Sequence, residues 1–324
     1  MSWLVQFSGS LLVAALMLPG QSPPLVRVPV RLVVAPTLVL SPAGKAIAGL
    51  DADKFEVFDN GRSQKFWLET EPEPASAVIA IQANDAMRDY LPFVAKTGSV
   101  VDDLLLGAKG KASVLSYGDD VKLLPAIDSG DVRDMFAKLS ASGRESHMLD
   151  AAERAIQMLR TEPAGRARVL ILIGQPYDKG STATPATVTT HAAAENIQIF
   201  GLVLPLAGKK FVADTFHFPS MASQGGGLAA GVELTSLIPT LSHIAKSKGG
   251  IDPLSRLVAT TGGTQIHFRK QTQLENALIV MGDELRSTYS LSYTPSSTEP
   301  GYHSIRVAVK LPGATTYSRA GYEY

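Results

Sequence analysis

The feature that most constrains this chain is an apolar run followed directly by polar residues. Residues 77–81, Ala-Val-Ile-Ala-Ile, are unbroken in apolar character and too short for a helix. Such a run predicts a strand that is buried on both faces. Gln82, Asn84 and Asp85 then predict a loop, and residues 88–106 follow with helical periodicity. A strand, a loop and a helix in this order favour an open parallel sheet, which binds ligands at the carboxyl ends of its strands.

The middle of the chain repeats this alternation. Apolar runs predict two further buried strands at residues 169–173 and 198–204, and a short last strand at 264–268. An antiparallel pair is predicted at 111–117 and 121–126, on either side of Gly-Asp-Asp. Helical spacing is present at residues 131–139, 147–159, 187–196, 234–248, 253–260 and 274–285. The pattern predicts a doubly wound, mostly parallel α/β domain over residues 75–287, with right-handed crossovers.

The two ends of the chain are β-rich. Residues 25–34 alternate in polarity, a short apolar run follows at 37–40, and Asp-Asn-Gly at 59–61 predicts a hairpin between strands at 55–58 and 64–68. The acidic residues of this region, Asp51, Asp53 and Asp59, are interpreted as turn and surface residues.

The C-terminal end carries three more predicted strands, at residues 288–293, 304–311 and 315–322. Three strands alone bury too little apolar surface to be stable. We therefore expect residues 25–72 and 288–324 to form one β-sandwich, with the α/β domain inserted between them.

Composition excludes several classes of function. Thirty basic and thirty acidic residues cancel, so nothing predicts binding to nucleic acid or to an anionic membrane surface. The absence of cysteine excludes disulfides, thiol nucleophiles and thiolate metal sites.

The N-terminus predicts export. An apolar run at residues 11–18 is followed by Pro-Gly-Gln-Ser-Pro-Pro, which is typical of a signal peptide over residues 1–24, with a buried N-terminal helix as the alternative. The run is short for a membrane span and no other segment is long enough, so we expect a secreted or periplasmic protein without a span after cleavage. Residues 207–231 interrupt the α/β pattern. His217 within them is interpreted as a packing residue, because it lacks a second convergent group.

Three sets of motifs carry a resemblance to a known family. They are the strand and loop at residues 76–87, the segment 49–61, and the tail motifs Tyr-x-Leu-x-Tyr-x-Pro at 289–295, Ile-x-Val at 305–307 and Arg-x-Gly-Tyr at 319–322. Over nearly its full length, the chain resembles the VWFA-related Acidobacterial domain family of secreted proteins. This resemblance implies a von Willebrand factor type A domain.

The resemblance also implies where a metal would bind. In the type A domain, oxygen ligands from three loops hold Mg²⁺, and an acidic residue of the partner completes the coordination. The corresponding positions here are Gln82, Asn84, Ala86, Ser146 and Gln175. Only Ser146 keeps the expected chemistry, and Mg²⁺ is normally held by carboxylates. We predict a degenerate site with no metal or other cofactor, in which these polar side chains line a neutral cleft that binds a protein or cell-envelope partner.

Three alternatives remain open at this stage. A weak Mg²⁺ site could be rebuilt from Asp85, Ser146 and Asp178, giving a metal-dependent adhesion module. Ser146 beside His147 could serve as a hydrolase nucleophile, although no other catalytic or nucleotide-binding motif is present. The loop residues could also be solvated and bind nothing. The leading prediction is a non-enzymatic binding or scaffold protein; neither its partner nor its oligomeric state follows from the sequence.

Overall fold

The computed structural model describes residues 32–43, 45–69, 74–101, 109–124, 132–163, 165–204 and 252–324. The predicted signal peptide, most of the predicted strand at 25–34, the segment 207–231 with His217, and the predicted helix at 234–248 lie outside the described residues. In the part of the chain that is described, no helix combines the length and apolar character needed to cross a membrane.

The strands and helices are numbered in chain order within the described residues. The strands are β1 (Val33–Leu40), β2 (Phe55–Asp59), β3 (Arg62–Gln64), β4 (Phe66–Glu69), β5 (Ala75–Gln82), β6 (Lys111–Tyr117), β7 (Val121–Leu124), β8 (Ala167–Gly174), β9 (Ile197–Val203), β10 (Gln265–His267), β11 (Tyr289–Tyr293), β12 (Tyr302–Val309), β13 (Thr315–Ser318) and β14 (Gly321–Glu323). The helices are α1 (Leu91–Lys96), α2 (Gly98–Val100), α3 (Val132–Phe136), α4 (Met148–Leu159), α5 (Pro185–Ala194), α6 (Pro253–Thr261) and α7 (Gln271–Ser287).

The middle of the chain forms a six-stranded sheet in the order β10-β9-β8-β5-β6-β7. Its strands are parallel except β7, which pairs antiparallel with β6. The prediction of a mostly parallel α/β sheet is therefore confirmed. Counted along the chain from β5, the strands lie in the order 3-2-1-4-5-6, so the winding reverses between β5 and β8. In a doubly wound sheet this reversal opens a crevice at the carboxyl ends of the two strands.

The central strand β5 is buried along its whole length, as its apolar run predicts. Ile79 and Ile81 belong to a hydrophobic cluster that includes Phe136 of α3 and Met281 of α7. On the other face, Val78 and Ala80 belong to a cluster with residues of α4, α5 and α6. Burial of an isoleucine side chain contributes about 1.5–3 kcal/mol to the stability of the fold. Packing against the helices on both faces therefore holds β5 in place. The position of the loop after Gln82 is fixed by this packing.

The helix predicted at residues 88–106 is wrong in its extent. A 3₁₀ turn, Asp85–Met87, precedes α1, and Thr97 separates α1 from α2. The Thr97 hydroxyl donates to the carbonyl of Val94, 2.8 Å away, and competes with continuation of the helix. Gly98 then allows close approach to α3, because a Cβ there would lie 2.6 Å from Arg133 Cα. Residues 102–108 lie outside the described part of the chain.

Two antiparallel four-stranded sheets combine strands from both ends of the chain. Their orders are β13-β1-β11-β4 and β14-β12-β2-β3. The pairing of β1 with β11 and of β2 with β12 joins residues that are more than two hundred positions apart. Buried side chains of both sheets form one hydrophobic cluster, which includes Val33, Val57, Leu291, Ile305 and Tyr322.

Two strands predicted as continuous are divided between these sheets. The run at 64–68 splits into β3 and β4, because the Gln64 side-chain amide bonds to Ser296. Gln64 Nε2 donates to Ser296 Oγ at 2.9 Å, and the backbone N–H of Ser296 donates to Gln64 Oε1 at 3.1 Å. The run at 315–322 splits into β13 and β14 at Arg319, which is 3% exposed. The Arg319 guanidinium donates to the carbonyl of Val34 and to Asn196 Oδ1, at 3.2 and 3.1 Å. Tertiary hydrogen bonds of this kind leave no local signal in the sequence.

The interpretation of Asp59 as a surface residue is also wrong. Asp51 and Asp53 are exposed as expected, but Asp59 is only 3% exposed. Its carboxylate lies 2.9 Å from His303 Nδ1 and accepts from the hydroxyls of Tyr293 and Tyr322. A buried carboxylate persists only with such partners.

Candidate functional site

The candidate site lies where the winding of the parallel sheet reverses. Gln82 ends β5 and Gln175 directly follows β8. Gln82 Nε2 donates to Gln175 Oε1 at 3.2 Å, and the backbone N–H of Gln175 donates to Gln82 Oε1 at 2.7 Å. Two of the predicted site residues are therefore joined reciprocally across the crevice.

Asn84 and Tyr177 extend this pair into a network. Gln82 Nε2 also donates to Asn84 Oδ1 at 3.1 Å, and Asn84 Nδ2 donates to the carbonyl of Glu145 at 2.9 Å. The Tyr177 hydroxyl donates to Gln175 Oε1 at 2.6 Å. We call Gln82, Asn84, Gln175 and Tyr177 the amide network. It links three loops: those after β5 and β8, and the one before α4.

Three of the five predicted site residues are buried. Gln82, Asn84 and Ser146 are 0%, 1% and 0% exposed, whereas Gln175 is half-buried and Ala86 is exposed outside the network. The Ser146 hydroxyl donates to the carbonyl of Tyr177 at 3.4 Å, which places it beside the network. Gln82, Asn84 and Ser146 hydrogen-bond to neighbouring loops, and a neutral cleft that binds a partner stays a prediction.

Backbone hydrogen bonds hold the same loops together. Ala83 N donates to Tyr117 O at 2.7 Å, Ser142 N to Ala83 O at 2.9 Å, and Asp85 N to Gly143 O at 2.9 Å. These bonds fix the ends of β5 and β6 against the segment before α4. The amide network thus sits on a framework that is already positioned by backbone pairing.

Gly174, the last residue of β8, makes the close contact between the two central strands possible. A Cβ at this position would lie 2.6 Å from Gln82 Oε1 and 2.8 Å from the Tyr117 hydroxyl. Both neighbours are fully buried. Any larger residue would push the Gln82 amide away from Gln175.

The two carboxylates proposed for a rebuilt metal site have other partners. Asp85 is half exposed and forms an ion pair with Arg88. Asp178 Oδ1 accepts from the backbone N–H of Leu149 at 2.8 Å and from the Ser181 hydroxyl at 2.6 Å. Asp178 therefore satisfies a free N–H in the first turn of α4. Neither carboxylate hydrogen-bonds to the amide network.

Two further acidic residues organise the edge and were missed by sequence reasoning. Asp119 accepts from the backbone N–H groups of Glu145 and Arg144, both at 2.8 Å, and these bonds lower its pKa. Burial raises the pKa of Asp150, but hydrogen bonds from Ala183 and Thr182 outweigh it, so the pKa is lowered overall. Asp119 and Asp150 accept these hydrogen bonds from backbone groups of loops that are distant in the sequence. No sequence pattern predicts such bonds.

The described residues of this edge hold neither a metal cluster nor a serine paired with a base. Within the described ranges, no three His, Asp or Glu side chains are placed to share a metal ion. The hydrogen-bond partner of the Ser146 hydroxyl is a carbonyl oxygen, which cannot act as a general base. What the described residues form is a closed set of neutral polar contacts, surrounded by exposed charges of both signs.

No family model matches the chain, and no curated protein matches it. Among solved structures, it is similar to the conserved hypothetical protein BatB from Bacteroides thetaiotaomicron, at 12% identity over 65% of this chain and 98% of that one, with a TM-score of 0.42. A von Willebrand factor type A structure from Catenulispora acidiphila matches at 10% identity over 89% and 72%, with a TM-score of 0.44. Proximal thread matrix protein 1 from the mussel byssus, with a zinc-occupied MIDAS motif, matches at 10% identity over 71% and 50%, with a TM-score of 0.46.

Proposed function

We propose that this chain is an exported, non-enzymatic protein-binding or scaffold protein whose von Willebrand A-like domain binds without a metal ion. In this proposal, the α/β unit is inserted into a β-sandwich formed by the two ends of the chain, and the carboxyl edge of its parallel sheet contacts a protein or cell-envelope partner. The strand order and the sequence motifs support the fold. The observation that carries the metal-free function is the amide network at the point where the winding reverses.

The amide network does not fit a resident Mg²⁺ ion. Gln82, Asn84 and Gln175 are neutral, and Mg²⁺ sites normally contain one or two carboxylates. Their oxygens already accept N–H or O–H groups at 2.6–3.2 Å. Of the buried side-chain nitrogen and oxygen atoms in the described residues, Glu275 Oε2 alone lacks a partner, so the network is internally satisfied. A metal ion would have to break these bonds without gaining a carboxylate.

The surface around the network supplies the proposed contacts. Arg144 is exposed, and Lys179 is 59% exposed in a 2.9 Å ion pair with Glu145. Asp85 and Arg88 add a second exposed pair. We call Asp85, Arg88, Arg144, Glu145 and Lys179 the charged rim. Exposed charges of both signs give orientation and specificity to a protein contact more than raw affinity.

The two other functions considered from the sequence have weaker support. Metal-dependent adhesion would require Asp85 and Asp178 to leave their present partners and turn toward Ser146. Hydrolysis would require Ser146, which is fully buried, to reach both a base and a substrate. No specific contact favours either function.

A capture experiment with matched charge reversals tests the proposal. The whole chain is used as bait in cell-envelope extract, with and without EDTA. Arg144→Glu with Lys179→Glu is expected to lower capture of the specific partner by at least about tenfold, because it inverts two rim charges. Lys54→Glu with Lys310→Glu, at exposed cations of the antiparallel sheets, should leave capture unchanged. Capture that EDTA abolishes, or that both double variants affect equally, would contradict the proposal.

A further inference from the structure

A second buried polar group lies between the two antiparallel sheets, far along the chain from the amide network. His303 of β12 and Asp59 of β2 are 2% and 3% exposed. His303 Nδ1 lies 2.9 Å from Asp59 Oδ1, and His303 Nε2 lies 2.8 Å from the carbonyl oxygen of Glu299. Both ring nitrogens therefore face an oxygen atom.

The partners determine where the protons are. A carbonyl oxygen can only accept, so Nε2 must carry a hydrogen. Asp59 Oδ2 accepts from the hydroxyls of Tyr322 at 2.6 Å and Tyr293 at 3.0 Å, and Oδ1 is the oxygen that faces Nδ1. With a carboxylate at 2.9 Å, Nδ1 also donates. The ring that satisfies both contacts is the doubly protonated imidazolium.

We infer that His303 and Asp59 form a proton-dependent clasp that holds the C-terminal strand β14 on its sheet while the imidazole ring is protonated. β14 pairs with β12 over three residues, and Tyr322 at its centre donates to Asp59. Loss of the proton leaves the Nδ1 lone pair facing Asp59 Oδ1, so two acceptors then meet and the charge of Asp59 has lost its cation. The Tyr322 hydroxyl, 3.3 Å from Nδ1, can donate to that lone pair only by giving up its bond to Asp59 Oδ2. The interaction that keeps Tyr322 of β14 bonded to Asp59 weakens as a result.

The groups that face His303 come from three segments. They are Asp59 on β2, Glu299 in the segment before β12, and Tyr322 and Tyr324 at the C-terminal end. Tyr293 of β11 joins the group through its hydrogen bond to Asp59. The rings of Tyr322 and Tyr324 lie 5.1 and 5.6 Å from the His303 ring, centroid to centroid. Burial lowers the pKa of His303, but the Glu299 carbonyl and Asp59 outweigh it, so the pKa is raised above 6.5.

The direction of the pH effect follows from this raised pKa. A histidine that holds its proton more tightly in the folded state stabilises the fold fully below the unfolded value of about 6.5. That contribution disappears as the pH rises through the higher pKa of the folded state. The clasp is therefore closed below the unfolded value of about 6.5 and opens as the pH rises through the folded-state pKa of His303.

Two measurements on the whole chain test the clasp. The first is an NMR titration of the His303 Cε1–H signal, which is expected to have a midpoint above 6.5. The second compares amide hydrogen exchange at Tyr322 with exchange at Ile79 in β5, since the ratio cancels the intrinsic effect of pH. This ratio should rise by up to about tenfold per pH unit between the unfolded value of about 6.5 and the His303 midpoint, and should level off above that midpoint.

Matched variants separate the clasp from a general pH effect. His303→Gln, which cannot titrate, should make the exchange ratio independent of pH. His191→Gln removes an exposed histidine that lies 2.9 Å from Glu153, and should leave the pH dependence as in the wild type. A His303 midpoint at or below 6.5, or a wild-type ratio that does not change with pH, would overturn the inference. If His303→Gln does not fold, the wild-type titration decides alone.

Discussion

Gly174→Ala is expected to lower the free energy of unfolding by about 3 kcal/mol, at the upper end of the usual cost of overpacking. The added methyl group would lie 2.6 Å from Gln82 Oε1 and 2.8 Å from the Tyr117 hydroxyl. Neither side chain can move into solvent, because both are buried in the carboxyl edge of the sheet. Urea-induced unfolding of the variant and the wild type measures the difference.

Gly49→Ala is the matched control for this substitution. Gly49 has a φ of 75° and no atom within 4 Å of its would-be Cβ, so alanine there adds backbone strain without crowding. We expect a cost of about 1 kcal/mol. If Gly174→Ala destabilises the protein no more than Gly49→Ala, the packing described at the end of β8 is wrong.

Glu284→Gln is expected to stabilise the protein by about 3 kcal/mol above pH 8, at 1.36 kcal/mol per pKa unit. Burial raises the pKa of Glu284 from 4.5 to about 7. The Thr264 hydroxyl donates to Glu284 Oε2 at 3.0 Å, and glutamine keeps an oxygen acceptor for that bond. An acid whose pKa is raised on folding stabilises the fold below its unfolded pKa, and this contribution is lost as the pH rises through the folded value.

The pH dependence of unfolding tests the role of Glu284. Stability of the wild type should fall between about pH 4.5 and 7 because of this group, and Glu284→Gln should remove that part of the slope. Asp283→Asn, at the neighbouring exposed position of the same helix, should leave the slope unchanged. An identical slope in the wild type and Glu284→Gln would show that Glu284 is ionised normally in the folded state.

The α/β architecture could be predicted from the sequence because its strands carry local signals. Apolar runs are present at 77–81, 169–173 and 198–204. A strand that is buried on both faces needs apolar residues at nearly every position. Their alternation with helical segments then gives the parallel sheet, and with it the edge at which Gln82 and Gln175 meet. Topology predicted the edge of the sheet, and the family resemblance supplied the positions Ser146 and Gln175.

The environment of the site residues could not be predicted in the same way. Asn84 is buried because Glu145, 61 residues away, supplies a carbonyl acceptor. Asp59 looks like a turn residue in Asp-Asn-Gly, yet its partner His303 is 244 residues away. Long-range partners decide whether a polar residue is exposed or buried, and a single sequence does not show them. The division of predicted strands at Lys65 and Arg319 has the same cause.

The metal-free nature of the carboxyl edge is the central claim, and a thermal melt of the whole chain tests it most directly. The melt is recorded in EDTA and again in millimolar Mg²⁺ or Mn²⁺. A ligand at a hundred times its Kd stabilises the folded state by about 2.7 kcal/mol, which corresponds to several degrees in Tm. If the amide network replaces the metal site, the curves should agree within about 1 °C. A rise of several degrees with either ion, which Asp85→Asn or Asp178→Asn abolishes, would contradict the claim and favour a rebuilt metal site.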